Sequence, residues 1–220
     1  MTARAVAAPV LELVRDARAL VFDFDGTLVD SNEIKWRGFE VTFAQFPDRL
    51  GEIMAYCRRH HHTPRGEKFR HVWEEILGRR YSAAIEHRLH ARFAAATTRQ
   101  VIEAPERPGA QGFLRQVTGN HVTAVLSTTP EETLVEILGA RGWRDYFTLV
   151  RGAPVDKAGW LRGLKAERRM NEAEVVFFGD TAEDARAARD AACTFVAVGA
   201  GTGALGTPHG IADFRGLATS

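Results

Sequence analysis

Five short apolar runs constrain the fold of this chain more than any other feature. ALVF (19–22), VTAVL (122–126), FTLV (147–150), EVVFF (174–178) and TFVAV (194–198) show almost no apolar–polar alternation, so they read as strands buried on both faces. Between them lie helical patterns: PEETLVEILGARG (130–142), DKAGWLRGLKAERR (156–169) and TAEDARAARDAA (181–192). Strand alternating with helix predicts an α/β protein with a Rossmann-like, doubly wound parallel sheet covered by helices on both faces. Such sheets bind ligands beyond the carboxyl ends of their strands, where Asp23, Ser127 and Asp180 fall.

One segment breaks the alternation. From Asn32 to Thr98 the patterns are helical only: NEIKWRGFEVTFAQF, RLGEIMAYCRRH, EKFRHVWEEILGRR and SAAIEHRLHARFAAAT. They predict an all-helical module inserted after the first strand, with IEAPERPGA (102–110) and its Pro105 and Pro108 as the return linker. Residues 1–31 and 102–220 then form the α/β core, and residues 32–101 a helical domain in the position of a lid. A chain of 220 residues is long enough for one domain carrying a smaller one. Trp36, Phe39, Phe43 and Phe46 have helical spacing and are expected in the core of the insert.

The first strand runs into DFDGT. Strand alternation would set Asp23 and Asp25 on the same side, with Phe24 on the other. Two carboxylates that close repel, so a cation, a proton or both must sit between them, and Mg²⁺ fits because it takes one or two carboxylates alongside water and phosphate oxygens. Gly26 permits a tight turn and Thr27 adds a hydroxyl. A second strand ends in Ser127, Thr128 and a third hydroxyl before Pro130, a ready anion site ahead of a helix. Lys157 opens a helix as a point cation for a phosphoryl oxygen or a carboxylate nucleophile. In VVFFGDTAED, Asp180 and Asp184 would complete or support the metal shell.

Other features exclude rather than assign. With 29 Lys+Arg against 28 Asp+Glu the formal net charge is +1, so no global field draws the chain to nucleic acid or a membrane surface. Cys57 and Cys193 read as inert thiols of a reduced, cytoplasmic protein. The N-terminal apolar stretch is interrupted by Glu12 and Arg15, short of a signal peptide, and no window approaches transmembrane length. His60, His61 and His62 would point about 100° apart on a helix and cannot chelate one ion. GTGALG (201–206) is followed by a turn, TPHG, so a closing loop is expected there and not a dinucleotide site.

These residues resemble the haloacid dehalogenase superfamily of phosphohydrolases with a helical cap inserted after the first motif. Asp23-x-Asp25-Gly26-Thr27 matches the first motif, Ser127 the second, Lys157 the third and Gly179-Asp180-x-x-x-Asp184 the fourth, across a core from Ala19 to Gly199. The resemblance implies Asp23 as nucleophile of an aspartyl-phosphate mechanism and Asp25 as general acid/base. It implies Mg²⁺ on Asp23, Asp180 and the main-chain carbonyl of Asp25, with Asp184 in support, and Ser127 and Lys157 on the other phosphoryl oxygens. Gly26, Thr27 and Thr128 are counted with the substrate site. Members that cleave carbon–halogen bonds lack the second acid, so Asp25 speaks for phosphoryl transfer. Cys193 stands where the family commonly has a small glycine, a departure that concerns packing and not the chemistry.

The cap in such proteins usually selects the substrate. Here a turn bearing Arg65 and Lys68 is expected between two helices as the reader. Residues 55–77 together with DSNEIK (30–35) resemble a subgroup associated with surface-polysaccharide and nucleotide-sugar synthesis, which implies a sugar or sugar-acid phosphate. The alternatives are a phosphoglycolate-type phosphatase, a sugar-phosphate mutase, or an idle binding protein on the same fold. Mutases of the family carry a His ten residues after the second Asp, where this chain has Lys35. The implied partner is a small phosphomonoester, with the chain a monomer or homodimer.

Overall fold

The computed structural model describes residues 3–60, 63–199 and 205–217. In chain order the elements are α1 (Ala3–Asp16), β1 (Ala19–Phe22), α2 (Asn32–Phe43), α3 (Leu50–Arg59), α4 (Arg65–His71) and α5 (Ala83–Glu103). They continue with α6 (Ala110–Val117), β2 (Val122–Pro130), α7 (Glu131–Ala140), β3 (Leu149–Ala153), α8 (Lys157–Arg168), β4 (Val175–Gly179), α9 (Ala182–Asp190), β5 (Thr194–Val198) and β6 (Gly210–Ile211). Two compact units result: Met1–Asp30 with Ala104–Ser220, and Ser31–Glu103.

In the first unit the described strands form one parallel sheet in the order β3-β2-β1-β4-β5-β6. The fold is the α/β, doubly wound one that the apolar runs predict. The chain moves outward from β1 through β2 to β3, then returns to the other side of β1 for β4, so the topological switch point lies between β1 and β4. Every residue of β1 and β4 is buried because each face carries a separate core. On one face Ala19, Val21, Ala124, Leu126, Val175 and Phe177 meet Leu161 and Leu164 of α8 and Ala185 and Ala188 of α9. On the other, Phe22 stacks on Phe178 at 5.0 Å between centroids and meets Phe113 of α6 edge-on at 6.1 Å. Burying such side chains contributes about 1.5–3 kcal/mol each, which is what fixes β1 at the centre.

The third strand is displaced from the FTLV reading and occupies Leu149–Ala153. Phe147 is drawn off the strand into the core, 6.4 Å from the Phe22 ring, after a 3₁₀ turn at Arg144–Tyr146. As an outer strand, β3 tolerates the exposed Arg151 that the apolar-run criterion passes over. The N-terminal stretch, read only as an interrupted apolar run, forms α1, and α6 and β6 had no counterpart in the sequence reading.

Among its described residues the second unit holds helices and the turns that join them, with no strand. Phe39, Phe43, Phe69 and Phe93 form its centre, with Phe39 edge-on to Phe93 at 5.1 Å and to Phe69 at 5.8 Å. Trp36 and Phe46 pack against that cluster, partly buried. Two expectations fail here. Arg65 and Lys68 do not lie on a turn: Pro64 opens α4 at Arg65, and burial of Phe69 among Phe39, Phe43 and Phe93 holds the segment helical. The single helix expected over EKFRHVWEEILGRR instead passes from α4 into a π turn over Val72–Ile76, which buries Val72, Trp73 and Ile76 together. His60 closes α3 and packs its ring on Tyr56 at 4.5 Å. His61, His62 and residues 201–204 of GTGALG lie outside the described residues.

Candidate active site

Sheet register brings the site together. Phe22 pairs with Val125 of β2 and with Phe178 of β4, so Asp23 lies one residue beyond its strand pair, and Ser127 and Asp180 two beyond theirs. Asp23 follows the end of β1 and donates its N–H to the Phe178 carbonyl at 2.8 Å. The chain then turns: the N–H groups of Leu28 and Val29 both donate to the Phe24 carbonyl, at 2.9 and 3.1 Å, and Gly26 donates to Val29 at 2.7 Å. Gly26 has φ +86°, in the left-handed region that residues with a Cβ rarely enter.

Strand β1 stops at Phe22, so both acids lie beyond it, and Asp25 is bridged to Val29 across the turn. Each carboxylate accepts from a side chain that a distant element brings in. Asp23 Oδ1 accepts from Lys157 Nζ at 2.7 Å, while Asp25 Oδ2 accepts from Thr129 Oγ1 at 2.9 Å.

Lys157 joins the first acid to the fourth motif. Its Nζ also donates to Asp184 Oδ1 at 2.6 Å. Burial alone would lower the pKa of this ammonium, but the Asp184 and Asp23 carboxylates and their hydrogen bonds outweigh it, and the net shift is upward. Lys157 is therefore a fixed cation at any working pH. Asp184 is the N3 residue of a capping box at the start of α9: Thr181 Oγ1 accepts from its N–H, and its own Oδ2 accepts from the Thr181 N–H at 3.2 Å and hydroxyl at 2.5 Å. Asp180 accepts from Thr27 Oγ1 at 3.2 Å. A Cβ on Gly179 would stand 2.5 Å from the Asp184 Cβ, so the glycine lets α9 close on the strand end.

One carboxylate oxygen each from Asp23, Asp180 and Asp184 lies within 4.8 Å of the others. Three oxygen donors suit a hard divalent cation. Three carboxylates against one ammonium leave a formal charge of −2, which such a cation would balance. The Asp25 carboxylate is not a member of that group.

Of the other expected residues, Ser127 is buried and its Oγ accepts the Thr129 N–H at 3.1 Å, which leaves its hydroxyl proton for another acceptor. Thr128 is exposed between the buried Ser127 and Thr129. Thr27 is buried, with its hydroxyl on Asp180. In the second unit the Arg65 guanidinium lies over the Phe93 ring at 4.3 Å, and the buried Lys68 ammonium lies 5.2 Å from Phe39 and 5.5 Å from Trp36.

Sequence reasoning passed over three residues. Thr181 was legible, since T-x-x-D before a helix is a capping signal. Thr129 was hidden as one hydroxyl of three. Arg107, whose guanidinium donates to the Gly26 carbonyl and whose N–H donates to Leu28 at 2.8 Å, carries no local signal.

Fold and geometry define a protein of the α/β class with an acidic, lysine-bridged centre at its strand ends. The family model for haloacid dehalogenase-like hydrolases matches residues 17–192, and the chain belongs to that family. No curated protein matches the chain in sequence. Solved structures share the fold. A hydrolase from Pseudomonas syringae superposes with TM-score 0.70 at 20% identity, covering 91% of this chain and 95% of the other. A predicted phosphoglycolate phosphatase from Haemophilus somnus 129PT gives 0.68 at 16%, covering 90% and 95%. CbbY from Rhodobacter sphaeroides, a mutant in complex with xylulose-1,5-bisphosphate, gives 0.67 at 19%, covering 92% and 100%. Among the described residues no helix is long and apolar enough to cross a membrane.

Proposed function

We propose that the chain is a Mg²⁺-dependent phosphatase that hydrolyses a small phosphomonoester, a sugar or sugar-acid phosphate, through an aspartyl-phosphate on Asp23. The observation that carries this reading is the buried Lys157 ammonium, 2.7 Å from Asp23 and 2.6 Å from Asp184, beside a third carboxylate from Asp180.

In the first half-reaction a carboxylate oxygen of Asp23 bonds to phosphorus while the bond from phosphorus to the leaving oxygen breaks, and Asp25 gives that oxygen its proton. In the second, the Asp25 carboxylate takes a proton from water as the water oxygen bonds to phosphorus and the Asp23–phosphorus bond breaks, releasing inorganic phosphate. Lys157 keeps Asp23 ionised and aimed, and Ser127 offers its hydroxyl proton to a phosphoryl oxygen. Asp23, Asp180, Asp184 and the Asp25 carbonyl would hold Mg²⁺, which would supply positive charge against the phosphoryl oxygens. The sugar-phosphate part of the proposal draws support from the bisphosphate in the CbbY complex and from Arg65 and Lys68 as candidate selectors in the helical unit, which we take to be the cap. Cys57 and Cys193, both buried free thiols, fit a reducing cytoplasm.

Phosphate release from sugar phosphates, phosphoglycolate and nucleotides, with Mg²⁺ and with EDTA, tests the proposal. Release should require Mg²⁺ and favour a sugar phosphate, and Asp23→Asn should abolish it while the protein stays folded. Turnover by Asp23→Asn at the parent rate would refute the nucleophile, and no release from any member would refute the phosphatase.

A further inference from the structure

Thr129 has no role in the four motifs, yet its hydroxyl is bonded to the side chain of the second acid. We propose that Thr129 is a positioning residue for Asp25, fixing the carboxyl group that exchanges protons with the leaving oxygen and with water. The inference rests on the phosphatase reading above.

Three observations converge on it. Thr129 is 8% exposed, and its hydroxyl donates to Asp25 Oδ2 at 2.9 Å, a bond shielded from water and so worth more than one at the surface. Its backbone N–H is held in turn by Ser127 Oγ at 3.1 Å, so the hydroxyl that faces phosphate and the hydroxyl that orients the acid belong to one hydrogen-bonded unit. The segment is also pressed into place from β3. Pairing of β2 with β3 shifts register between Leu126 and Pro130, and a Cβ on Gly152 would stand 2.6 Å from the Thr129 carbonyl oxygen and 2.4 Å from the backbone of Glu131. The Gly152 N–H donates to the Glu131 carboxylate at 3.1 Å. These contacts hold the backbone that carries Thr129.

The chemical consequence concerns the orientation of the acid. With Oδ2 engaged by Thr129, the carboxyl group is held in one orientation for the transfer. When phosphorus bonds to Asp23, the Asp25 proton passes to the leaving oxygen. In the hydrolytic step a proton from water returns to the Asp25 carboxylate. Without Thr129 the carboxyl group loses this hold on Oδ2, and both transfers lose precision of geometry.

The test compares leaving groups. p-Nitrophenolate departs without a proton, whereas the alkoxide of a sugar phosphate needs one. Thr129→Val should lower kcat/KM on the order of ten- to a hundredfold for whichever of glucose 6-phosphate, ribose 5-phosphate and phosphoglycolate the parent hydrolyses fastest. The first burst of nitrophenolate from p-nitrophenyl phosphate should stay within about threefold of the parent, with the following steady state slowed. Thr129→Ser should recover most of the loss. Equal losses for both leaving groups, with no rescue by serine, would mean a merely structural residue and overturn the proposal. So would parent-like hydrolysis of the alkyl phosphate by Thr129→Val. A parent protein inactive on every phosphate would instead overturn the phosphatase reading itself, and this inference with it.

Discussion

Replacing Lys157 by methionine tests the electrostatic account of the site without first knowing the substrate. Methionine keeps an unbranched chain in place of the lysine stem but removes the ammonium that Asp23 and Asp184 share, leaving two buried carboxylates with no lysine between them. Taking one partner from a buried ion pair costs about 3–5 kcal/mol, and the lower end suits a site at the rim of a sheet. For a chain of this size about 3 kcal/mol corresponds to a fall in melting temperature of about 6–12 °C. Thermal melts of parent and Lys157→Met in EDTA should show that gap. Mg²⁺ should then raise the variant more than the parent, because three carboxylates without the lysine attract a divalent cation more strongly. Because the pKa of Lys157 is raised on folding, its contribution is fully present below the ordinary lysine value of about 10.4 and is lost only as pH climbs above it. The melting gap should therefore stay constant between about pH 6 and 9. A variant melting within about 1 °C of the parent in EDTA, or an equal rise with Mg²⁺ for both proteins, would refute the reasoning.

Two further substitutions probe the packing behind the site. Gly179→Ala places a methyl 2.5 Å from the Asp184 Cβ, so it should destabilise by about 1–3 kcal/mol in urea melts and raise the Mg²⁺ concentration needed for half-maximal activity; unchanged values would show that α9 can retreat freely. Gly152→Ala collides with the backbone of Thr129 and Glu131, and its loss of kcat/KM should fall more heavily on alkyl phosphates than on the p-nitrophenyl phosphate burst, as for Thr129→Val.

The parts of the fold that were legible are those where burial leaves the chain little choice. Strands β1 and β4 are covered on both faces, so their sequences are nearly all apolar and their ends are marked by the first polar residue. Strand β3, at the outer edge, admits Arg151 and Gly152, and its boundaries slide away from the apolar run. The acids were legible as residues but not in their partnerships. Alternation describes a strand, and β1 ends at Phe22, so the partnerships of Asp23 and Asp25 depend on residues more than a hundred positions away, Lys157 and Thr129. In the helical unit Arg65 and Lys68 were expected on a turn; the buried Phe69 decides otherwise.

Asp184 shows why stability and chemistry are hard to separate here. One of its oxygens closes the capping box with Thr181 and the other holds Lys157 at 2.6 Å, so the start of α9 and the charge balance of the site share a single side chain. A surface cap would be replaceable by any of several residues at a cost of about 1 kcal/mol. This one must also present a carboxylate oxygen near Asp23 and Asp180, which an asparagine could imitate only as a cap. Helix initiation and the pairing with Lys157 therefore fall to the same residue for different reasons. The i to i+4 spacing of Asp180 and Asp184 follows from the strand-to-helix turn that carries both.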